Sequence, residues 1–290
     1  MGQDKRESGT MNEEPRAEKP LGRKAYGSIP HLPGSRKGPG DHDIGEGPAR
    51  ICTEKVRDKW DLIICQEKLD GSATAVAKQN GRLLTLGRSG HPAVSSPYLQ
   101  HRYFDAWAWD NQDRFDRLLR EGERAVGEWL AQAHGTRYGN LPHEPWVLFD
   151  IMHGDNRVCY HDLLARASEQ HFVTPNTIHI GGPLRVVTAM EMIGGGKHGA
   201  TDPVEGVVYR VEYRRGKQHP REVNFLAKWV RPDKIDGLYL PEFHDEEHLP
   251  PDMVEALKTL YDDQPVWNWR PGNEDPVPLH LPPLWTETSA

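Results

Sequence analysis

The dipeptide Asn80-Gly81 restricts what this 290-residue chain can fold into more than any other feature. It separates Thr74-Ala75-Val76-Ala77 from Arg82-Leu83-Leu84-Thr85-Leu86, two short runs of small, β-branched and aliphatic residues. Asn and Gly accept the positive φ that a two-residue hairpin needs, so the two runs are expected to pair antiparallel. The first of them is preceded by a third apolar run, Asp61-Leu62-Ile63-Ile64-Cys65-Gln66, which enters the turn Glu67-Lys68-Leu69-Asp70-Gly71-Ser72. Lys68 is therefore placed on an antiparallel sheet. A lysine followed by Asp-Gly at a strand end is either an ordinary polar turn or a covalent nucleophile held beside a nucleotide.

The returning strand delivers Gly87-Arg88-Ser89-Gly90, where glycines allow close backbone approach and Arg88 offers a planar fork for phosphate. Residues Tyr98 to Leu119 space Phe104, Trp107, Phe115, Leu118 and Leu119 as one or two core-facing helices would, and Glu121-Gly122-Glu123 ends them. Ala125-Val126-Gly127-Glu128-Trp129-Leu130 reads as a strand whose Glu128 is either exposed or turned toward a cavity. Trp146-Val147-Leu148-Phe149-Asp150-Ile151-Met152 is almost continuously apolar, the pattern of a central strand buried on both faces. Asp150 within it is a structural acid or a site carboxylate. Helices are expected over His161–Ala167 and Val186–Ile193, the second closed by Gly194-Gly195-Gly196.

Glu205-Gly206 opens a β-branched strand through Arg210, Arg214 to Lys217 turn it, and Val223 to Arg231 return. Alternation places Phe225, Ala227, Trp229 and Arg231 on one face and Asn224, Leu226, Lys228 and Val230 on the other. The stretch from Tyr209 to Lys234 is locally basic, as either a phosphate site or a solvated hairpin face. Residues 24 to about 47 form an irregular Gly- and Pro-rich arm in which His31 either packs in the loop or touches a ligand. Residues 1–22 are expected to be a disordered tail, 23–240 the main domain, and 241–290 a small extension with one helix from Pro251 to Tyr261 and an irregular tail holding Trp267, Trp269 and Trp285.

The net charge of -7 argues against a protein that grips nucleic acid with its whole surface. Three cysteines without CxxC spacing argue for reduced thiols in the cytoplasm and against a zinc ribbon. No segment reads as a membrane span or signal peptide.

The ordered set Lys68-Leu69-Asp70-Gly71, Arg88, Gly127-Glu128, Phe149-Asp150-Ile151, Glu205-Gly206-Val207-Val208-Tyr209 and Lys228 resembles the covalent nucleotidyltransferase superfamily of ATP-dependent DNA ligases, RNA ligases and mRNA capping enzymes. The resemblance implies an α+β, ATP-grasp-like ligase adenylation domain with antiparallel sheets flanked by helices. It implies Lys68 as the nucleophile that takes AMP from ATP, Lys228 as the cation that lowers the Lys68 pKa and neutralises the α-phosphate, and Arg88 as a phosphate ligand. Glu128 would accept from the ribose hydroxyl, Phe149 would stack on adenine, and Glu67 and Asp70 would belong to the same nucleotide site. Glu205 would hold Mg2+ or Mn2+ directly or through water.

Two departures follow. The superfamily commonly carries Lys-x-Lys on the last strand, whereas Lys228 has Leu226 and Val230 beside it, leaving Lys217 or Arg231 to supply a second charge. Too little chain follows for a C-terminal OB barrel, and the Arg-x-Asp-Lys likeness of Arg231-Pro232-Asp233-Lys234 is read as accidental. These shift the resemblance toward ATP-dependent RNA ligases, which join 5'-phosphate and 3'-hydroxyl RNA ends in RNA repair, with His31, Arg210 and Arg231 as candidate RNA contacts. A monomer is expected. The alternatives are a DNA or mixed-strand nick ligase with the same lysyl-AMP step, and a nucleotide-binding module without turnover.

Overall fold

The hairpin at Asn80-Gly81 forms as its residue types require, with φ of 53° and 69° at the two positions. It anchors one of two antiparallel sheets in the computed structural model, which describes residues 18–139, 141–240 and 265–271. The elements run in the order α1 (Glu46–Thr53), β1 (Leu62–Lys68), β2 (Ser72–Gln79), β3 (Arg82–Gly87), α2 (Leu99–Asp110), α3 (Gln112–Leu118), β4 (Glu123–Trp129), β5 (Trp146–His153), β6 (Asn156–Arg157), α4 (Tyr160–Glu169), β7 (Thr177–Gly181), α5 (Val186–Ile193), β8 (Gly206–Tyr213) and β9 (Glu222–Val230). The first sheet has the order β7-β1-β8-β9 and the second β3-β2-β4-β5-β6. The fold is α+β, and among the described residues neither sheet closes into a barrel.

The chain changes sheets at the Lys68 turn. β1 pairs with β8 so that Lys68 lies opposite Gly206, while β2, three residues on, pairs with β4 so that Ser72 lies opposite Trp129. Lys68 thus sits at the seam of two sheets instead of within one. Two apolar cores explain why the sheets fold. One packs Phe104, Trp107 and Phe115 of α2 and α3 onto Trp129 and Trp146, with ring centroids 5.2 to 6.5 Å apart. The other packs Ala189 and Ile193 of α5 and Ile51 of α1 onto Ile63, Val207, Val211 and Ala227. Phe225 and Trp229 share that apolar face, as the alternation of β9 predicts.

Three expectations change. β5 is buried on both faces but is not central: its neighbours are β4 and the two-residue β6, with helices and the Val173 segment supplying the cover. The arm that ends near Gly47 runs directly into helix α1, and β7 supplies a sheet edge that its mixed sequence did not mark. Trp267 and Trp269 belong to the main packing, Trp269 meeting Trp129 edge-on at 5.6 Å and Trp267 meeting Tyr103 at 5.1 Å. Of the tail expected over 1–22, residues 18–22 form a turn in which Gly22 N–H donates to the Lys19 carbonyl at 2.8 Å and Leu21 packs against the cluster of Ala25 and Tyr26; residues 1–17, the helix expected from Pro251 to Tyr261 and Trp285 lie outside the described residues.

The two sheets are tied by ions. Asp150 of β5 is fully buried, accepts from Arg210 of β8 at 3.2 Å and from the Tyr26 hydroxyl at 3.1 Å, and is paired with Arg157. Of the two readings of Asp150, this geometry is the structural one. All three cysteines are free, Cys52 and Cys65 buried with their thiol pKa values pushed up to about 12 by burial.

Candidate active site

Between the sheets lies a cavity of about 330 Å³, within the size range of small-ligand sites, lined by Glu67, Lys68, Asp70, Arg88, Glu128, Phe149 and Lys228 among others. Residues far apart in the chain therefore converge. Glu205, the residue before β8, meets the cavity through Lys68: its Oε2 lies 2.5 Å from Lys68 Nζ, which also donates to the Leu69 carbonyl at 3.3 Å.

The carboxylates around Lys68 set the direction of its electrostatics. Burial works against its charge, but the carboxylates of Glu205, Glu128 and Asp70 outweigh burial and hold its pKa above the ordinary value. Lys228 shows the opposite: burial and the Lys68 charge pull it down, partly opposed by Asp41 at 3.5 Å. Lys68 is thus the paired cation and Lys228 the strained one. Burial pushes Glu128 up to about 7, although Lys68 and the Gly71 N–H, 3.0 Å from Oε1, favour its charged form. Burial also raises Glu205.

The remaining wall residues have defined supports. Phe149 projects from β5 and meets Tyr26 edge-on with centroids 5.1 Å apart. Arg88 is exposed at the rim, where Nη2 reaches Ser28 Oγ at 3.4 Å. Glu67, a lining residue, is anchored: Oε2 accepts from the Lys197 N–H at 3.1 Å, and its own N–H donates to the Asn176 carbonyl at 2.9 Å. Burial raises the Glu67 pKa.

The candidate RNA contacts are placed differently from expectation. His31 is 1% exposed, with Nδ1 2.6 Å from Ser35 Oγ and Nε2 3.0 Å from Asp41 Oδ2, so it steadies Asp41 against Lys228 and presents no surface. Arg210 is 2% exposed and bound to Asp150 and Glu212, which fits it for joining sheets and lining the cavity, not for gripping an external strand. Arg231 is paired with Asp233 at 2.6 Å, and its N–H donates to the Glu205 carbonyl at 3.0 Å. Lys217 lies past the far end of the β8–β9 hairpin, whose last pair is about 17 Å of strand from the Val208–Lys228 pair, too distant to act beside Lys228.

Lys234 was missed. The Arg231-Pro232-Asp233-Lys234 segment folds back on the site, and Lys234 Nζ lies 2.5 Å from Asp70 Oδ2 with the side chain 0% exposed. The likeness of this segment to Arg-x-Asp-Lys was legible in the sequence, but its nearness to β9 argued against it. Only the reversal of the chain after Val230 brings it to the Lys68 turn.

The cavity brings together cations at Lys68, Lys228 and Arg88, an aromatic wall at Phe149 and carboxylates at Asp70 and Glu128, with Glu205 paired to Lys68. No curated protein sequence matches the chain. Among solved structures, Naegleria gruberi RNA ligase with PPi is 16% identical and aligns with 59% of this chain and 50% of its own, at a TM-score of 0.43. A mutant of the same ligase with ATP and Mn is 14% identical over 69% of this chain and 59% of its own, TM-score 0.47, and an archaeal ATP-dependent RNA ligase is 14% identical over 70% and 53%, TM-score 0.38. The chain therefore spans 50 to 59% of the length of these structures. The RNA ligase family model matches residues 61–230, from the strand before Lys68 to the end of β9 and more than half of the sequence, and the chain belongs to the RNA ligase family.

Proposed function

We propose that this protein is an ATP-dependent RNA ligase acting through a covalent lysyl-AMP on Lys68. The observation that carries the reading is the convergence of Lys68, Glu128, Phe149 and Lys228 on one cavity, with Glu205 paired to Lys68, in a chain of the RNA ligase family. The Lys68 amine attacks the α-phosphorus of ATP, the bond to the pyrophosphate oxygen breaks, and the amine loses its proton. An oxygen of an RNA 5'-phosphate then attacks the lysyl-AMP phosphorus, the P–N bond breaks and Lys68 is reprotonated. A 3'-hydroxyl finally attacks the adenylated 5'-phosphate and displaces AMP, forming the phosphodiester.

Lys228 and Arg88 are placed to balance phosphate charge, Phe149 to face the adenine, and Glu128 to accept from a ribose hydroxyl. A buried carboxylate at Glu205, with no group of three His, Cys, Asp or Glu able to hold an ion among the described residues, fits a hard divalent ion such as Mg2+ or Mn2+ that keeps waters and phosphate oxygens as its other ligands. Glu205 would hold such an ion, which would supply charge stabilisation for the departing pyrophosphate. No helix among the described residues is long and apolar enough to cross a membrane.

The test is incubation with α-labelled ATP and Mg2+, followed by denaturing electrophoresis. A labelled band that disappears in Lys68→Ala is expected; no band, or one that survives the substitution, overturns the mechanism. Sealing of 5'-phosphorylated single-stranded RNA, nicked RNA duplex and nicked DNA then separates RNA joining from the DNA or mixed-strand alternative, which shares the first step.

A further inference from the structure

Lys234 has no packing reason to be a lysine. Its side chain is fully buried, and a neutral side chain such as methionine would fill the same volume without the desolvation cost of an ammonium. The group that demands a cation is Asp70, whose Oδ2 lies 2.5 Å from Lys234 Nζ and also accepts from the Gly135 N–H at 2.9 Å. The Asp70 N–H in turn donates to the Tyr138 hydroxyl at 3.0 Å. Asp70 is thus fixed at both its backbone and its carboxylate, two residues after Lys68. Burial alone would raise Asp70, yet Lys234, with His134 and Lys68, outweighs burial and holds it below the usual carboxylate range.

The neighbourhood is built for this lysine. A Cβ on Gly135 would stand 2.0 Å from Lys234 Nζ and 2.3 Å from the Ile235 carbonyl oxygen, so residue 135 must be glycine for the pair to form. The route by which Lys234 arrives is also tied to the site, since the Arg231 N–H donates to the Glu205 carbonyl at 3.0 Å and the Lys234 N–H to the Arg231 carbonyl at 3.2 Å. Lys234 does not line the nucleotide cavity; it reaches the reaction only through Asp70 and through its charge.

We propose that Lys234 is a positioning residue for adenylation of Lys68: it locks Asp70, and with it the turn that aims Lys68. This rests on the lysyl-AMP reading. A residue that acts on the aim of the nucleophile changes the saturating rate of lysyl-AMP formation, whereas one that merely shapes the nucleotide pocket changes the ATP concentration needed.

The experiment is single-turnover labelling with α-labelled ATP, run across ATP concentrations on the full chain and on Lys234→Met, Gly135→Ala, their double variant and Asp70→Asn, with folding followed by circular dichroism. Labelling of the unsubstituted protein establishes the reading on which the proposal rests; its absence overturns both. Lys234→Met is expected to lower the saturating rate by about 100-fold, with half-saturating ATP changed less than about threefold. Gly135→Ala displaces the ammonium and presses on the Ile235 carbonyl, and is expected to give the same kind of loss, with the double variant losing less than the sum of the two singles because both break the Asp70–Lys234 pair. A saturating rate within about twofold of the unsubstituted protein in any folded single variant, or a loss expressed only as weaker ATP dependence, overturns the proposal. Should Lys234→Met fail to fold, Gly135→Ala and Asp70→Asn decide by the same criterion, and independent, additive losses in the cycle count against it.

Discussion

Lys68 Nζ and Glu205 Oε2 are 2.5 Å apart across the seam of the two sheets, so the proposed nucleophile rests as one half of an ion pair. A paired ammonium is a poor nucleophile, and Glu205 both protects the charge on Lys68 and offers the ligand whose withdrawal would release it. In Glu205→Gln the metal concentration needed for half-maximal lysyl-AMP formation is expected to rise at least about tenfold. Titration of the labelling reaction with Mg2+ and with Mn2+ measures this. An unchanged metal requirement would remove Glu205 from the metal site.

Glu128 is expected to give the protein a recognisable pH signature. Its folded pKa is pushed up to about 7 by burial, above that of an ordinary glutamate. Between about pH 4.5 and 7 the folded protein then binds more protons at this position than the unfolded chain, so this group's contribution to stability falls as pH rises through that window. Glu128→Gln removes the contribution. Its melting temperature should exceed that of the unsubstituted protein at pH 8 and approach it below pH 5, in thermal melts across that range.

Gly206 carries a steric prediction. A Cβ there would lie 1.9 Å from the Trp229 carbonyl oxygen, in the backbone of the neighbouring strand β9. Gly206→Ala must push β8 from β9 next to Glu205, and a loss of about 3 kcal/mol or more is expected in denaturant unfolding. A stability within 1 kcal/mol of the unsubstituted protein, about the typical effect of a point substitution, would show that the strands part easily.

Asp150 separates stability from chemistry. Asp150→Ala leaves the buried Arg210 with Glu212 as its one remaining carboxylate and takes the carboxylate partner from Arg157, which should cost about 3 kcal/mol because buried positive charge is left only partly compensated. Where the variant stays folded at low temperature, labelling of Lys68 is expected to persist, since Asp150 does not line the cavity. Denaturant titration and the labelling assay read the two effects independently.

The sequence legibly determined the local elements. Asn80-Gly81 dictated its hairpin because few residues accept positive φ, and α2, α3, α4, α5, β4, β8 and β9 followed from periodicity that burial enforces along a few turns or strand pairs. It also marked the set around Lys68, because a site that binds one ligand needs particular residue types at particular strand ends. What it did not mark were β7 and α1, whose patterns are short and mixed, and the reassignment of His31 and Arg210 to buried supports.

Only the tertiary structure decided the electrostatics. Coulomb interactions depend on distance through space, and residues 68, 205, 70 and 234 are brought within contact by the change of sheet after Lys68 and the reversal of the chain after β9. The sequence showed one cation, Lys228, where two were expected. The fold pairs a further lysine, Lys234, with Asp70, and it makes Lys68 a paired cation because the nearest groups in space are carboxylates, although the most evident charged companion along the motif order is a lysine.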